Sequence, residues 1–225
     1  LPATGLPAWS RWRDGSVIAL DAAAAGWHSL GMKTSFVLAP KQTVTLAVSG
    51  KSPVIEYAAA EAQRLLGRLG VSCVMRAVKS ARGYALTLTP AGARPIRPDT
   101  AFATVRHDGY RLAVAAGGVS LSAPTPKGVL NALYDFAERL GFVFLAPGAD
   151  GEWAPPRARP VPAGCATVNP RFPHRGVFGG TNTPPYSQEE WLVFFAKLRF
   201  NAQSGGDAAL CAKLGIRPEQ GGHGM

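Results

Sequence analysis

The sequence predicts an α+β fold, a mixed β-sheet with two helices packed on it, followed by the first β/α units of a truncated (β/α)8 TIM barrel. Three observations carry this expectation. Two stretches, 52–69 and 126–140, open on Ser-Pro or Thr-Pro and carry apolar residues at helical spacing up to a glycine. Short β-prone runs bounded by glycine and proline surround them. Behind a proline-rich stretch, a β-run near 176–180 leads into a capped amphipathic helix ending Lys197-Leu-Arg-Phe-Asn201, the order of one β/α unit. A complete barrel takes about 250 residues, so a barrel opening at 171 in a 225-residue chain has room for two or three strands.

Taken in order, residues 1–34 mix Trp9, Trp12 and Trp27 with an alanine run and show no period, so they receive no structure. Residues 35–148 are expected to form the α+β domain. Runs at 36–38 and 44–48 read as strands. Ser52 is a natural N-cap with Pro53 behind it, and Val54, Ala58, Ala62, Leu65 and Leu69 form one stripe. Glu56, Glu61, Arg64 and Arg68 are expected to face water. Runs 71–77, 84–89 and 110–115 follow, the first holding Cys73 as a small core residue. Tyr110, Leu112 and Val114 should share a sheet face, and Gly117-Gly118 should turn the chain into 119–122. Thr125 caps the second helix, whose stripe of Val129, Leu133, Phe136 and Leu140 stops at Gly141. Residues 149–170 read as an extended proline-rich connector. In 171–225, Ser187-Gln-Glu-Glu190 is a capping box ahead of Trp191, Leu192, Phe195 and Leu198. An incomplete barrel leaves unpaired edges, so Trp191, Phe194 and Phe195 are expected to be more exposed, or more mobile, than core residues.

Composition narrows the function classes. With 47% hydrophobic and 17% charged residues, the chain supplies a core and is not disordered throughout. A net charge of +10 favours anionic partners at long range. The basic residues nevertheless fall in scattered pairs, such as Arg64/Arg68 and Arg157/Arg159, without the stripe that nucleic-acid modules carry, so no nucleic-acid partner is expected. Cys73, Cys165 and Cys211 lack the close pairing of zinc or redox motifs, and the four histidines are dispersed, so no metal and no cofactor is expected. No apolar run approaches the roughly 20 residues of a membrane span. A chain that begins at Leu1 is compatible with a removed signal peptide or a lost start, which leaves secretion or a periplasmic location open.

At Asp108-Gly-Tyr-Arg-Leu-Ala-Val114, Gly118-Val-Ser-Leu-Ser122, the helix from Thr125-Pro-Lys-Gly128 to Arg139-Leu-Gly141, and Phe144-Leu-Ala-Pro147, the chain resembles a known accessory domain. It is similar to the α+β domain that precedes the catalytic barrel in family 67 α-glucuronidases and family 20 β-hexosaminidases. The resemblance covers roughly 35–201 and rests on the order hairpin, Pro-x-Gly helix, Leu-Ala-Pro, proline connector, Arg-Gly strand. It implies a glycoside hydrolase, α-glucuronidase-like, acting on carbohydrate through a complete barrel. In those enzymes an arginine at the end of the first barrel strand reaches sugar hydroxyls, and Arg175 within Phe172-Pro-His-Arg-Gly176 matches it; a guanidinium offers five fixed donors for such work. Asn201 matches the asparagine that opens the second barrel strand, and His223 in Gly221-Gly222-His223 would sit on a third strand-end loop. Val177-Phe-Gly-Gly180 lacks the Asp and second Arg usual in family 20, which counts against a hexosaminidase.

Glycosidases need two carboxylates across the scissile bond. Glu189 and Glu190 are explained by helix capping, and Asp135 and Glu138 by a solvated helix face, so no catalytic residue is assigned and the chain alone is expected to be inactive. The alternatives are a non-catalytic carbohydrate-binding or interaction module and, on charge alone, a nucleic-acid binder.

Overall fold

The computed structural model describes residues 35–79, 83–98, 100–178 and 183–219, all within one compact unit, Lys33–Met225. The N-terminal segment 1–34 and His223 lie outside the described residues.

After a short β1 (Ser35–Phe36), β2 (Thr43–Ser49) turns Val44 and Leu46 into the core by its period of two. Ser52 then caps α1 (Pro53–Arg68), its Oγ accepting from the Ile55 N–H at 3.2 Å, with Pro53 in the first turn where no donor is needed. Because a helix joins them, β2 and β3 (Ser72–Val78) run parallel. The rest of the main sheet is antiparallel: β4 (Tyr84–Pro90) against β2, then the hairpin of β5 (Tyr110–Ala115) and β6 (Gly118–Ala123) turning at Gly117. Tyr110, Leu112 and Val114 are buried together. Cys73 is only half-buried, since β3 is the outermost strand and leaves Val74 and Met75 at 57% and 50% exposure.

Helix α2 (Pro126–Leu140) starts at Thr125, whose Oγ1 accepts from the Gly128 N–H at 3.1 Å, and ends at Gly141 in the left-handed conformation, φ 107°. Gly128 is required by contact. A Cβ there would stand 2.5 Å from the Gly109 carbonyl oxygen and 2.6 Å from the Ala123 Cβ, so the first turn of α2 lies directly on the strand ends. Gly128→Ala should therefore destabilise by about 1–3 kcal/mol through overpacking. Urea unfolding checks this, and an unchanged midpoint would remove the close approach from the account.

The proline-rich stretch does more than connect. After β7 (Val143–Phe144) it supplies β8 (Glu152–Trp153), β9 (Val161–Pro162) and β10 (Gly164–Val168). β7 pairs with β8, β9 with β1, and β10 with β5 from Gly164↔Val114 to Val168↔Tyr110, giving the sheet order β10-β5-β6-β4-β2-β3. Segment 163–169 contains no proline, so nothing prevents it from forming an edge strand.

Beyond it, β11 (Gly176–Val177), α3 (Gln188–Lys197), β12 (Ala202–Ser204), α4 (Ala208–Leu214) and β13 (Arg217–Glu219) alternate, and the three strands form a parallel sheet in chain order. Both halves of the capping box on α3 form: Ser187 Oγ accepts from Glu190 N–H, and Glu190 Oε2 accepts from Ser187 N–H at 2.8 Å. The expectation that the aromatic residues of α3 are more exposed than the core holds for Trp191 and Phe194 and is corrected for Phe195. Phe195 is 5% exposed and Leu192 is fully buried, while Trp191 and Phe194 are half-buried. The cause is helix packing, α3 against α2 and α4 against α1, which places Leu192, Phe195, Cys211 and Leu214 in the same core as the front domain.

Candidate functional site

Asn131, Asp135 and Glu138 recur at helical spacing on α2 and line one wall of a cleft of about 430 Å³. The opposite wall is built from Val168, Pro170–Phe172, Arg175, Leu198 and Arg199, and Asp108 and Tyr110 lie at the entry to β5. Two non-glycine residues in the left-handed region flank the cleft: His107 (φ 56°), which delivers Asp108, and Arg199 (φ 65°), which follows the cap of α3. Side chains rarely adopt that conformation, so the surrounding contacts hold it in place.

Arg175 and Asn201, nominated separately from the sequence, meet here. The Asn201 Oδ1 accepts from the Arg175 backbone N–H at 2.8 Å, and its Nδ2 donates to the Pro173 carbonyl at 2.7 Å. The Arg175 guanidinium is committed at all three nitrogens. Nε donates to the Arg199 carbonyl (3.0 Å), Nη1 to the Phe172 carbonyl (2.8 Å), and Nη2 pairs with Asp108 Oδ2. Arg175 also stands before β11, at the strand's start; the expected position at the strand's end, where barrel sites gather, is corrected. Its contacts bind the 172–175 loop to the front domain.

Asp135 and Glu138 are not a solvated face. Glu138 pairs with Arg199, and Asp135 accepts from Arg139 Nε at 3.1 Å and from the Tyr110 hydroxyl. Burial, and then the Asp135 charge, push the Tyr110 hydroxyl above its ordinary range and keep it a donor. The spacing of Asn131, Asp135 and Glu138 along one side of α2 is the signal the sequence held for this polar stripe. Its partners were not legible, because they lie far along the chain. Three buried polar atoms of the cleft residues have no hydrogen-bond partner: Asp108 Oδ1, Asn131 Oδ1 and Arg199 Nε.

Beneath this cluster Lys127 is buried at the start of α2, its Nζ donating to the Leu214 carbonyl at 3.1 Å. Burial lowers its pKa to about 7; attraction to Asp108 opposes this and repulsion from Arg175 adds to it. The unfolded chain holds that proton up to about pH 10.4, so the unfolded state binds more protons between 7 and 10.4 and stability rises with pH across that window. Lys127→Met should flatten the rise and, at pH 6, stabilise by about 1–3 kcal/mol despite losing one hydrogen bond. Parallel pH–stability curves for the two proteins would contradict this.

A second cluster fixes the same seam from the other side. Glu152 on β8 accepts from Arg64 Nη1 and Nη2 (2.8 and 2.7 Å), Arg68 Nη1 (2.7 Å) and Lys197 Nζ (2.7 Å). Lys197 also lies over the Phe144 ring at 5.3 Å. Burial alone would raise the Glu152 pKa, but the Arg64 and Lys197 hydrogen bonds prevail and hold it at about 2. The expectation that Glu61 faces water is corrected: it is buried, accepting from Arg64 Nε at 2.6 Å and from the Tyr134 hydroxyl at 3.3 Å. Arg64 and Arg68 are therefore structural cations. Among the described residues, no cluster of His, Cys, Asp or Glu is arranged to hold a metal ion, and no helix is long and apolar enough to cross a membrane.

No family model matches the chain, and no curated protein does. Among solved structures it is similar to a variant Streptomyces plicatus β-hexosaminidase in complex with its product GlcNAc, at TM-score 0.46 and 16% identity over 77% of this chain and 32% of that one. A family 20 β-N-acetylglucosaminidase matches at TM-score 0.42 and 17% identity, over 78% of this chain and 28% of that one. The chain spans about a third of the length of these structures. A likeness of this grade decides neither substrate nor activity.

Proposed function

We propose that the chain is the front part of a carbohydrate-active glycoside hydrolase, α-glucuronidase-like, in which the α+β domain carries the first strands of a (β/α)8 barrel. The supporting observation is the parallel sheet β11-β12-β13, with strands in chain order, a helix in each crossover, and the outer sides of β11 and β13 unpaired among the described residues. Further β/α units would pair those edges and supply the two carboxylates that glycoside hydrolysis requires. Asp108, Asp135 and Glu138 do not fill that role, since each is tied to an arginine.

In this reading Arg175 and Asn201 serve the sugar site by positioning the loop that leads into β11, and His223 contributes a sugar contact from a third strand-end loop. Arg175→Lys keeps the charge and loses the fork of donors. In a protein extended through the barrel it should cost about 1.5–3 kcal/mol of stability, with loss of sugar affinity following. Affinity lost at unchanged stability would make Arg175 a direct ligand instead.

The test of the main reading is hydrolysis. The extended protein should cleave chromogenic glycosides, uronides first, while residues 1–225 cleave none. A downstream coding sequence without further β/α units would sink the proposal and favour a non-catalytic carbohydrate-binding module.

A further inference from the structure

We propose that the outer edge of β3 is an interface for a second copy of this chain, joined through antiparallel pairing of the two β3 strands. The strand is an open edge. It lies last in the sheet order, pairs with β2 alone among the described residues, and keeps an unbroken register from Thr43↔Ser72 to Ser49↔Val78. Sheet edges are normally blunted by a proline, a bulge or a covering loop. β3 contains no proline and no bulge. Val74, Met75 and Val78 stand exposed, and successive side chains alternate, so apolar surface is offered on both faces.

The backbone restricts how a partner can pair. The Ser72 N–H donates to the Gln42 carbonyl at 2.9 Å, towards β2. By the period of two, Val74, Arg76 and Val78 also turn their amides to β2, which leaves the N–H and C=O groups of Cys73, Met75 and Ala77 directed outwards. A two-fold contact between identical edges is antiparallel and must bring outward groups to outward groups. The register centred on Met75 does this over the whole strand. Met75 meets the partner's Met75, Cys73 meets the partner's Ala77, and about six backbone hydrogen bonds form. On the other face Val74 lies across from the partner's Arg76, whose stem covers it while the guanidinium reaches water. Centring on Arg76 would set two like charges directly opposite each other. Centring on Val74 would leave Ala77 and Val78 across from residues that precede the strand.

The charges beside the strand complement a second copy. Glu56 is exposed in the first turn of α1, which follows the Ser49↔Val78 end of the pair. Helical spacing puts Glu56 and Gln63 on the side of α1 away from Glu61, which meets α2 through Tyr134, and so on the outer side. Lys41 is exposed at the opposite, Ser72 end, where its N–H donates to the Gly70 carbonyl at 2.7 Å. The two-fold reverses the partner, so each Glu56 comes to the end at which the other copy carries Lys41. In physiological salt the net charge of +10 is screened beyond about 8 Å, and this local pattern decides.

Sedimentation equilibrium of chain 1–225 tests the proposal. A strand pair flanked by two helices is a small interface, so a reversible dimer dissociating at about 10–100 µM is expected. Met75→Pro should give a monomer with an unchanged melt, because the N–H it removes points away from β2. Met75→Lys, which sets two ammonium groups at the two-fold, should do the same and serves if the proline variant fails to fold. Cross-linking reads the register. With Cys73→Ser and Cys165→Ser removing the accessible thiols, Met75→Cys should form a disulfide dimer on oxidation, its Cα atoms about 5.5 Å apart. Val74→Cys should not, being about 8 Å from its own copy. A chain that stays monomeric up to about 500 µM would overturn the assignment, and β3 amides already protected from exchange in that monomer would make a segment of the chain itself the occupant. Association as in the wild type by a folded Met75→Pro or Met75→Lys, or cross-linking favoured at position 74, would overturn it equally. Dimerisation is read apart from hydrolysis, so failure here leaves the glycosidase reading to its own test.

Discussion

Glu152→Ala should lower stability by about 3–5 kcal/mol, because it removes the carboxylate on which three cations converge and leaves Lys197 buried with only an aromatic ring beside it. Arg64 keeps Glu61, and Arg68, being partly exposed, returns to water, so most of the cost falls on Lys197. The effect also depends on pH. The Glu152 pKa is depressed in the fold, so its stabilisation is complete above the unfolded carboxyl value near 4.3 and is lost as pH falls towards 2. Discounted for the exposed arginines, that limb amounts to about 1–3 kcal/mol in the native protein and should be missing from the variant. Guanidinium melts at pH 7 and pH 3 measure both quantities. A loss below about 1 kcal/mol at pH 7 would reduce the cluster to a surface ion network.

Leu133→Asp should destabilise by several kcal/mol, since the side chain is 3% exposed in the core where α2 packs on α1 and the sheet. Part of that cost is lost volume, which Leu133→Ala reports alone at about 2–5 kcal/mol. The remainder is desolvation of a carboxylate. Thermal melts of both variants separate the two, and a silent Leu133→Asp would show that the apolar stripe of α2 faces solvent.

What could be read from the chain was what local chemistry writes into it. Ser52, Thr125 and Ser187 mark helix starts because each cap bonds a backbone group three residues on, and the Gly117-Gly118 turn marks its hairpin in the same way. One local signal went unread: Asp207 accepts from the Leu210 N–H at 2.7 Å and starts α4, which the glycines around it obscured. Strand β10 was hidden by flanking prolines. The seam could not be read at all. Arg175 meets Asp108 across 67 residues and Lys197 meets Glu152 across 45, and such pairs leave no period or motif in the sequence. The burial of Glu61 follows from the same kind of distant partner, Tyr134 on the facing helix.

The central structural claim is that the β/α units and the front domain share one core, joined by the Glu152 and Asp108–Arg175 clusters. Native-state hydrogen exchange tests it most directly. Amides of α3 around Leu192–Ala196 should open with the free energy of α2 around Leu133–Ala137, and Glu152→Ala should lower the α3 values more than those of strands β4 and β6. Rapid, independent exchange of α3 beside a fully protected front domain would contradict the shared core and restore the view of 171–219 as a loosely held extension.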